Sequence, residues 1–251
     1  MYILKILLSN DDGIASPGIY ALAKKFCYDN EVIICAPDSE RSACSHSLTV
    51  FSPLRVKKHK FDIPVLAYSC NGTPADCVLF ALTELMKDKP DLIISGINSG
   101  ANLSQDVMYS GTVSAAFEGA ASGVKSIAIS LTMPNLATGF EPSADFLYEF
   151  INRYGIDIIE NGTVLNINIP PKEIIGFKYC KLGEYPYDLG YEKRQDTAGR
   201  DYYWLRVVST DNQRAKENTD VQLVKQGYVT ITPLRYNLTD TDLLEKLKES
   251  E

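Results

Sequence analysis

Two carboxylates stand side by side in Leu8-Ser9-Asn10-Asp11-Asp12-Gly13, where an apolar run beginning at Tyr2 stops. Neighbouring anions repel unless something positive sits between or beside them. A hard divalent cation held by oxygen ligands answers that need. Asn10-Asp11-Asp12-Gly13 is also good turn chemistry, and the stretch alone leaves both readings open. Further oxygen donors lie in two other polar stretches. Pro37 to Ser47 carries Ser42, Ser45 and His46, and Gly96 to Gly111 carries Asn98, Asn102 and Ser110. Carboxylates, hydroxyls and amides suit magnesium, manganese or calcium and disfavour zinc and copper. With only two histidines, His46 and His59, the chain cannot build a His-rich zinc site. A Ser-His-Asp triad would have to use one of those two. His59 lies in Lys57-Lys58-His59-Lys60 and reads as a solvated strand face.

Tyr109-Ser110-Gly111-Thr112 precedes a helical pattern. A helix N-terminus offers free N–H groups and a positive dipole end, and Gly111 lets a ligand approach the backbone. Ser110, Gly111 and Thr112 therefore read either as a phosphate cradle or as an ordinary helix cap. The spacing is not that of a P-loop, and Gly96-x-Asn98-x-Gly100 is weak as a nucleotide fingerprint.

These residues need elements to carry them. Ile3 to Leu8 is too short for a useful helix and reads as a buried strand. Ser16 and Pro17 cap and start a helix whose apolar face is Ile19, Leu22, Ala23 and Phe26. Glu31 to Ala36 is a second buried strand. Strand, helix, strand implies a parallel sheet with a right-handed crossover. Leu48 to Ser69 holds three strand-like runs. Thr73-Pro74-Ala75-Asp76 starts a helix with Val78, Leu82, Leu85 and Met86 inward. Asp91 to Ser95 and Lys125 to Leu131 are strands, with a helix between them carrying Val113, Ala116, Phe117 and Ala120 and ending at Gly123. Ser143 to Tyr154 is a helix. Val164 to Ile169 alternates like a strand with one wet face.

Residues 1–170 therefore predict an α/β core with a doubly wound, mainly parallel, Rossmann-like sheet. Residues 171–251 form a β-rich appendage and a terminal helix. The appendage is crowded with Tyr179, Tyr185, Tyr187, Tyr191, Tyr202, Tyr203 and Trp204. Lys193 to Asp201 reads as a charged mobile segment, Tyr228 to Pro233 as a strand, and Thr239 to Lys248 as a helix with Leu243, Leu244 and Leu247 inward. Such an appendage serves either subunit contacts or local packing. In doubly wound sheets, ligands bind outside the carboxyl ends of the strands. The stretches Asn10 to Ser16, Pro37 to Ser47 and Gly96 to Gly111 all leave such ends.

The 251 residues suffice for a sizeable core. A net charge of −7 argues against a nucleic-acid polymer or an anionic membrane as partner. No run approaches the roughly 18 apolar residues of a membrane span, and the N-terminus lacks a signal-peptide pattern. The six cysteines include no C-x-x-C pair, so free thiols and a cytoplasmic location are expected. Cys44, in a polar stretch, is the candidate for a reactive thiol.

Taken together, the motifs resemble the SurE family, stationary-phase survival proteins that are metal-dependent 5′-nucleotidases. The resemblance rests on Leu7 to Gly13, Ala36-Pro37-Asp38, Arg41-Ser42, Ser45 to Thr49, Gly72 to Val78, Ser95-Gly96-Ile97-Asn98-x-Gly100-x-Asn102-Leu103, Asp106-Val107-x-Tyr109 to Val113, and Gly227 to Leu234. They occur in the family's order across nearly the whole chain. Ala43, Ser104 and Asn218 stand where the family usually has glycine, and Ser16 where it usually has alanine. These departures bear on loop flexibility and substrate preference and remove no ligand-type side chain.

The resemblance implies one divalent cation, Mg2+ or Mn2+, on Asp11, Asp12, Ser42 and Asn98. It also implies a phosphate turn at Ser110, Gly111 and Thr112, with Asn102, Ser45 and His46 nearby. The implied substrates are nucleoside 5′-monophosphates, with other phosphomonoesters or short polyphosphate as extensions. The implied assembly is a homodimer or homotetramer through the C-terminal region. Asp11, Asp12, Asn98 and Ser110 are the catalytic candidates. The attacking group is water, oriented by Asp11, or Asp11 itself; His46 either donates a proton or pins its loop. Two rival classes begin with similar features. A phospho-acceptor receiver domain has an acidic pair but about half this length. A dinucleotide-binding module would be repelled by Asp11 and Asp12.

Overall fold

The computed structural model describes residues 3–133, 139–171, 173–184, 187–210 and 216–250. Tyr2 and Tyr185 lie outside the described residues. Eleven strands and six α-helices follow in chain order: β1 Lys5–Ser9, α1 Pro17–Phe26, β2 Glu31–Pro37, β3 Val56–His59, β4 Leu66–Cys70, α2 Pro74–Phe80, β5 Leu92–Ser99, α3 Gly111–Ala121, β6 Lys125–Leu131, α4 Glu141–Tyr154, β7 Thr163–Ile169, β8 Phe177–Tyr179, β9 Tyr187–Gln195, β10 Asp201–Thr210, α5 Asp220–Lys225, β11 Val229–Arg235 and α6 Thr241–Lys248. A π-turn, Ala81–Leu85, continues α2, and a short 3₁₀ helix, Ser104–Met108, precedes α3.

Nine strands form one sheet in the order β3-β4-β2-β1-β5-β6-β7-β11-β8. Only β3–β4 and β7–β11 pair antiparallel within it. The chain runs from β1 outward to β2 and β4, then returns to place β5 on the other side of β1. The order reverses between β1 and β5, so a crevice opens at their carboxyl ends. That crevice is where Asp11, Asp12 and Asn98 leave the sheet.

Strand alternation feeds two apolar layers. Ile6, Leu8, Ile34 and Ile94 pack with Ile19, Leu22 and Phe26 of α1 and Leu147 and Phe150 of α4 on one face. Leu7, Ile33 and Ile93 pack with Val78 of α2 and Ala115 of α3 on the other. Helix starts follow the sequence. The Ser16 hydroxyl caps α1, with Pro17 in the first turn. Thr73 and Asp76 form a reciprocal capping box on α2. Gly155, at φ 71°, closes α4.

Five expectations need correction. Leu48 to Ser69 yields two strands rather than three, β3 and β4, and residues 48–55 are irregular. The supposedly wet face of β7 is covered: Asn166 and Asn168 are fully buried. Both donate side-chain amides to the Asn102 carbonyl, at 2.8 and 3.0 Å. Their polarity serves a neighbouring loop, not solvent. Lys193 to Asp201 is the closed end of the β9–β10 hairpin, ordered by Asp196 accepting Arg200 N–H at 3.0 Å. Leu243, Leu244 and Leu247 of α6 are 51, 40 and 56% exposed rather than inward. His59, expected to be solvated, bonds Ser69 Oγ through Nε2 at 2.7 Å.

The main sheet runs across residue 170, because β11 pairs with β7 and β8 pairs with β11. The β9–β10 hairpin is a separate two-stranded sheet. No helix among the described residues is long and apolar enough to cross a membrane.

Candidate functional site

Residues 10–16 are folded by Asn10. Its side chain accepts from Gly13 N–H at 3.1 Å and donates to Gly13 O at 3.0 Å and Ser16 Oγ at 2.7 Å. Gly13 has φ 94°, and a Cβ there would stand 3.2 Å from the Ser39 backbone. This tight turn directs the two carboxylates into different surroundings. Asp11 is 4% exposed. Thr112 Oγ1 donates to its Oδ1. A Cβ on Gly111 would lie 2.8 Å from Asp11 Cβ, so only glycine lets the start of α3 come this close. Burial pushes the Asp11 carboxyl above its ordinary value, against the hydrogen bonds from Thr112. Asp12 accepts Ser99 N–H at 3.0 Å and faces a cleft lined by Ser16, Pro17, Asp38, Ser99 and Phe140. Burial raises its carboxyl to about 6, and the charges of Asp11 and Glu40 add to the shift.

Three loops meet here. Arg41 N–H donates to the Asp11 carbonyl at 2.7 Å, which brings Ser42 to the end of β1. The Ser99–Asp12 bond brings Asn98 there from β5. The Thr112 hydroxyl and Gly111 bring the N-terminus of α3. These contacts bring the segments that carry Asp11, Asp12, Ser42, Asn98, Gly111 and Thr112 to the carboxyl ends of β1 and β5. Ser42 is exposed and donates to Glu40 Oε1 at 2.8 Å. Asn98 Nδ2 donates to Gly100 O at 2.9 Å.

Other predicted residues have structural employment. Ser110 caps α3 by accepting Val113 N–H at 3.0 Å, and the Thr112 hydroxyl is spent on Asp11. Any anion at this turn must therefore be held chiefly by backbone N–H groups. Asn102 turns away: its amide donates to Ser130 Oγ at 2.8 Å and its N–H to Asn168 Oδ1 at 2.9 Å. Ser45 ties its loop to the turn before α3: its N–H donates to the Tyr109 carbonyl at 3.0 Å. His46 Nε2 lies 2.9 Å from Glu118 Oε2 on α3, geometry that supports loop-pinning. Burial, reinforced by the Asp11 charge, pushes the Cys44 thiol up, which argues against a reactive thiolate.

Sequence reasoning missed Glu40 and Asp220. Glu40 partners Ser42, and its charge bears on both Asp11 and Asp12; its place in the same polar stretch was the available signal. Asp220 is fully buried and accepts N–H groups of Ser104, Gly183 and Val221 at 2.7–2.8 Å. It joins the loop after β5 to the C-terminal region.

The donor set fits a hard dication. Two carboxylates are held beside each other with their pKa values raised, and the added donors are hydroxyl and amide oxygens. Among the described residues no group of three or more His, Cys, Asp and Glu could hold a metal ion, so a site here depends on the neutral oxygens of Ser42 and Asn98.

A doubly wound α/β protein with an oxygen-donor site at its topological switch point is the class that fold and site define. The Survival protein SurE family model matches residues 6–188. The chain is 44% identical over 247 residues to a protein of Pelotomaculum thermopropionicum named 5′-nucleotidase SurE, covering 98% of this chain and 95% of that one. It is 41% identical to one of the same name in Clostridium botulinum, covering 98% of each. The crystal structure of the SurE protein from Aquifex aeolicus superposes with a TM-score of 0.83 at 38% identity, covering 97% of this chain and 98% of that one. This chain belongs to the SurE family.

Proposed function

We propose that this chain is a divalent-metal-dependent 5′-nucleotidase that releases phosphate from nucleoside 5′-monophosphates. The observation that carries the reading is the meeting of Asp11, Asp12 and the N-terminus of α3 in one crevice. Relatives named 5′-nucleotidase SurE, similar along the full chain, support the reaction class. Asp11, Asp12, Ser42 and Asn98 would hold the cation. When bound, it supplies Lewis-acid polarisation of a phosphoryl oxygen and lowers the pKa of an attacking water. The chain's own groups do the rest. Backbone N–H groups at the start of α3 hold phosphoryl oxygens where negative charge builds. Thr112 fixes the Asp11 carboxylate, and Ser99 fixes that of Asp12. The cleft beside Asp12 receives the nucleoside. Ser45 and His46 hold their loop against α3, and Asn102 holds the loop after β5.

Residues 171–251 carry assembly into a homodimer or homotetramer. Tyr191, Tyr203, Trp204 and Leu205 of the hairpin are 57–71% exposed, and exposed apolar patches of this kind mark association surfaces. The free thiols fit a cytoplasmic location. A phosphate-release panel of mononucleotides, other phosphomonoesters and short polyphosphate tests the reading, with chelator and then with Mg2+ or Mn2+ restored. Release from mononucleotides only after a metal is returned is the expected result; full release in EDTA overturns it.

A further inference from the structure

One carboxylate beside the acidic pair has no part in the reaction proposed above. Glu40 stands two residues before Ser42, and Ser42 Oγ donates to its Oε1 at 2.8 Å. Arg41, between them, is spent elsewhere: its guanidinium donates to Asn71 O at 3.0 Å and to Asp38 Oδ1 at 3.5 Å. The Arg41 N–H donates to the Asp11 carbonyl at 2.7 Å, so the residue between Glu40 and Ser42 ties both to the end of β1. Glu40 and Ser42 are exposed, open to an ion arriving from solvent. The cation next to Glu40 in sequence pairs with Asp38 instead. A free anion here opposes the approach of a phosphate ester, since like charges repel. That cost asks for a compensating role.

Glu40 does not join Asp11 and Asp12 as a third carboxylate ligand. Among the described residues no group of three His, Cys, Asp or Glu could hold a metal ion. Its route to the site is the Ser42 hydroxyl. A serine hydroxyl carries one proton and two lone pairs, and an ionised carboxylate only accepts. The shared proton is therefore that of Ser42, and the lone pairs of its oxygen stay free. A hydroxyl binds a cation through a lone pair, so its proton must point away from the ion. A hydroxyl with no fixed acceptor rotates to suit its surroundings. Glu40 stops that rotation, and its charge makes the bond about twice as strong as a neutral one. Partners that orient a ligand in this way set metal affinity by about 10- to 100-fold.

We propose that Glu40 is a positioning residue for the cation. It holds the Ser42 proton in a hydrogen bond, with no proton transferred, and so presents the hydroxyl oxygen to the metal. This rests on the metal-dependent reading above, in which Ser42 is a ligand.

The test is a double-mutant cycle in metal affinity. Titration calorimetry of Mn2+ into the metal-free full chain, without nucleotide, reads it. Glu40→Ala should weaken Mn2+ binding about tenfold or more, and Ser42→Ala at least as much. Asp11 and Asp12 remain in both variants, so the weakened binding is followed by raising the Mn2+ concentration. The double variant should bind within about twofold of Ser42→Ala alone, because the carboxylate acts only through the hydroxyl. Circular dichroism in EDTA should be the same for all four proteins. Wild-type affinity in Glu40→Ala overturns the proposal. So does a Glu40→Ala loss that persists undiminished in the Ser42→Ala background, which would make Glu40 a ligand or a bare charge. A wild type that binds no Mn2+ overturns the metal-dependent reading itself. None of these readouts depends on nucleotidase activity.

Discussion

At the ends of β1 and β5, polar side chains are buried and bonded: Asp11 to Thr112, Asn102 to Ser130, Asn168 to Asn102. On the β9–β10 hairpin and α6 the pattern is inverted, and Trp204, Leu205, Leu243 and Leu247 are 51–61% exposed. The difference separates two kinds of order. The crevice gets its donors and acceptors from within one chain, so its geometry is fixed by the sheet. The C-terminal region shows apolar side chains that the described residues leave partly exposed, and under the function proposed above another copy would cover them. One region holds charge in place; the other presents apolar side chains to the outside.

The largest break in that comparison is expected at Asp12. Asp12→Asn should lower phosphate release from a nucleoside 5′-monophosphate on the order of a thousandfold, with circular dichroism unchanged. The same variant sharpens the electrostatics. Burial raises the folded Asp12 carboxyl to about 6 from its ordinary 3.8, so the native state binds more protons than the unfolded state between those values. Ionising it costs stability, absent below about pH 4 and complete above about pH 6. In EDTA, calorimetry should therefore find Asp12→Asn melting above the wild type at pH 8, with the gap closing toward pH 4. A wild type that melts higher at pH 8 would falsify the strain assigned to this carboxylate.

Thr112→Val comes next. It strips a buried carboxylate of a hydroxyl donor, and urea denaturation should show a loss of about 1–3 kcal/mol. Leu243→Asp with Leu247→Asp should act on the other region alone. Light scattering should show a smaller assembly, with metal binding by titration calorimetry unaltered. An unchanged mass would remove α6 from the interface. The smallest effect is expected at the partly exposed His46–Glu118 pair. His46→Gln should cost about 0.2–1 kcal/mol, and phosphate release should stay within about fivefold. A loss as deep as that of Asp12→Asn would make His46 a proton donor.

Much of this was legible because it is local. Ser16-Pro17 and Thr73-Pro74-Ala75-Asp76 start helices through bonds to their own next turns. The apolar periodicities of α1 and α3 match their buried faces. What failed required neighbours. Asn166 and Asn168 look solvated in sequence, yet a loop more than sixty residues earlier supplies their partner. The three residues standing where glycine is usual in the family, Ala43, Ser104 and Asn218, all have left-handed φ, at 55, 55 and 58°. Sequence marked the departures but not the strain that a side chain meets there. At Ser104 an added hydroxyl bond to Gly183 O, at 2.9 Å, offsets some of it.

The sequence by itself determined which chemistry was on offer, because oxygen donors, an acidic pair and a helix start are properties of residue type and local order. It also pointed to a doubly wound, mainly parallel sheet; the reversal between β1 and β5 came from the sheet itself. Only the tertiary structure decided how those groups are spent: Thr112 on Asp11, Ser99 on Asp12, Asn102 on the sheet, with the leucines of α6 left half-exposed. The reason is physical. A hydrogen bond or a buried contact belongs to two partners, and the second partner here stands tens of residues away, chosen by the packing of the whole sheet.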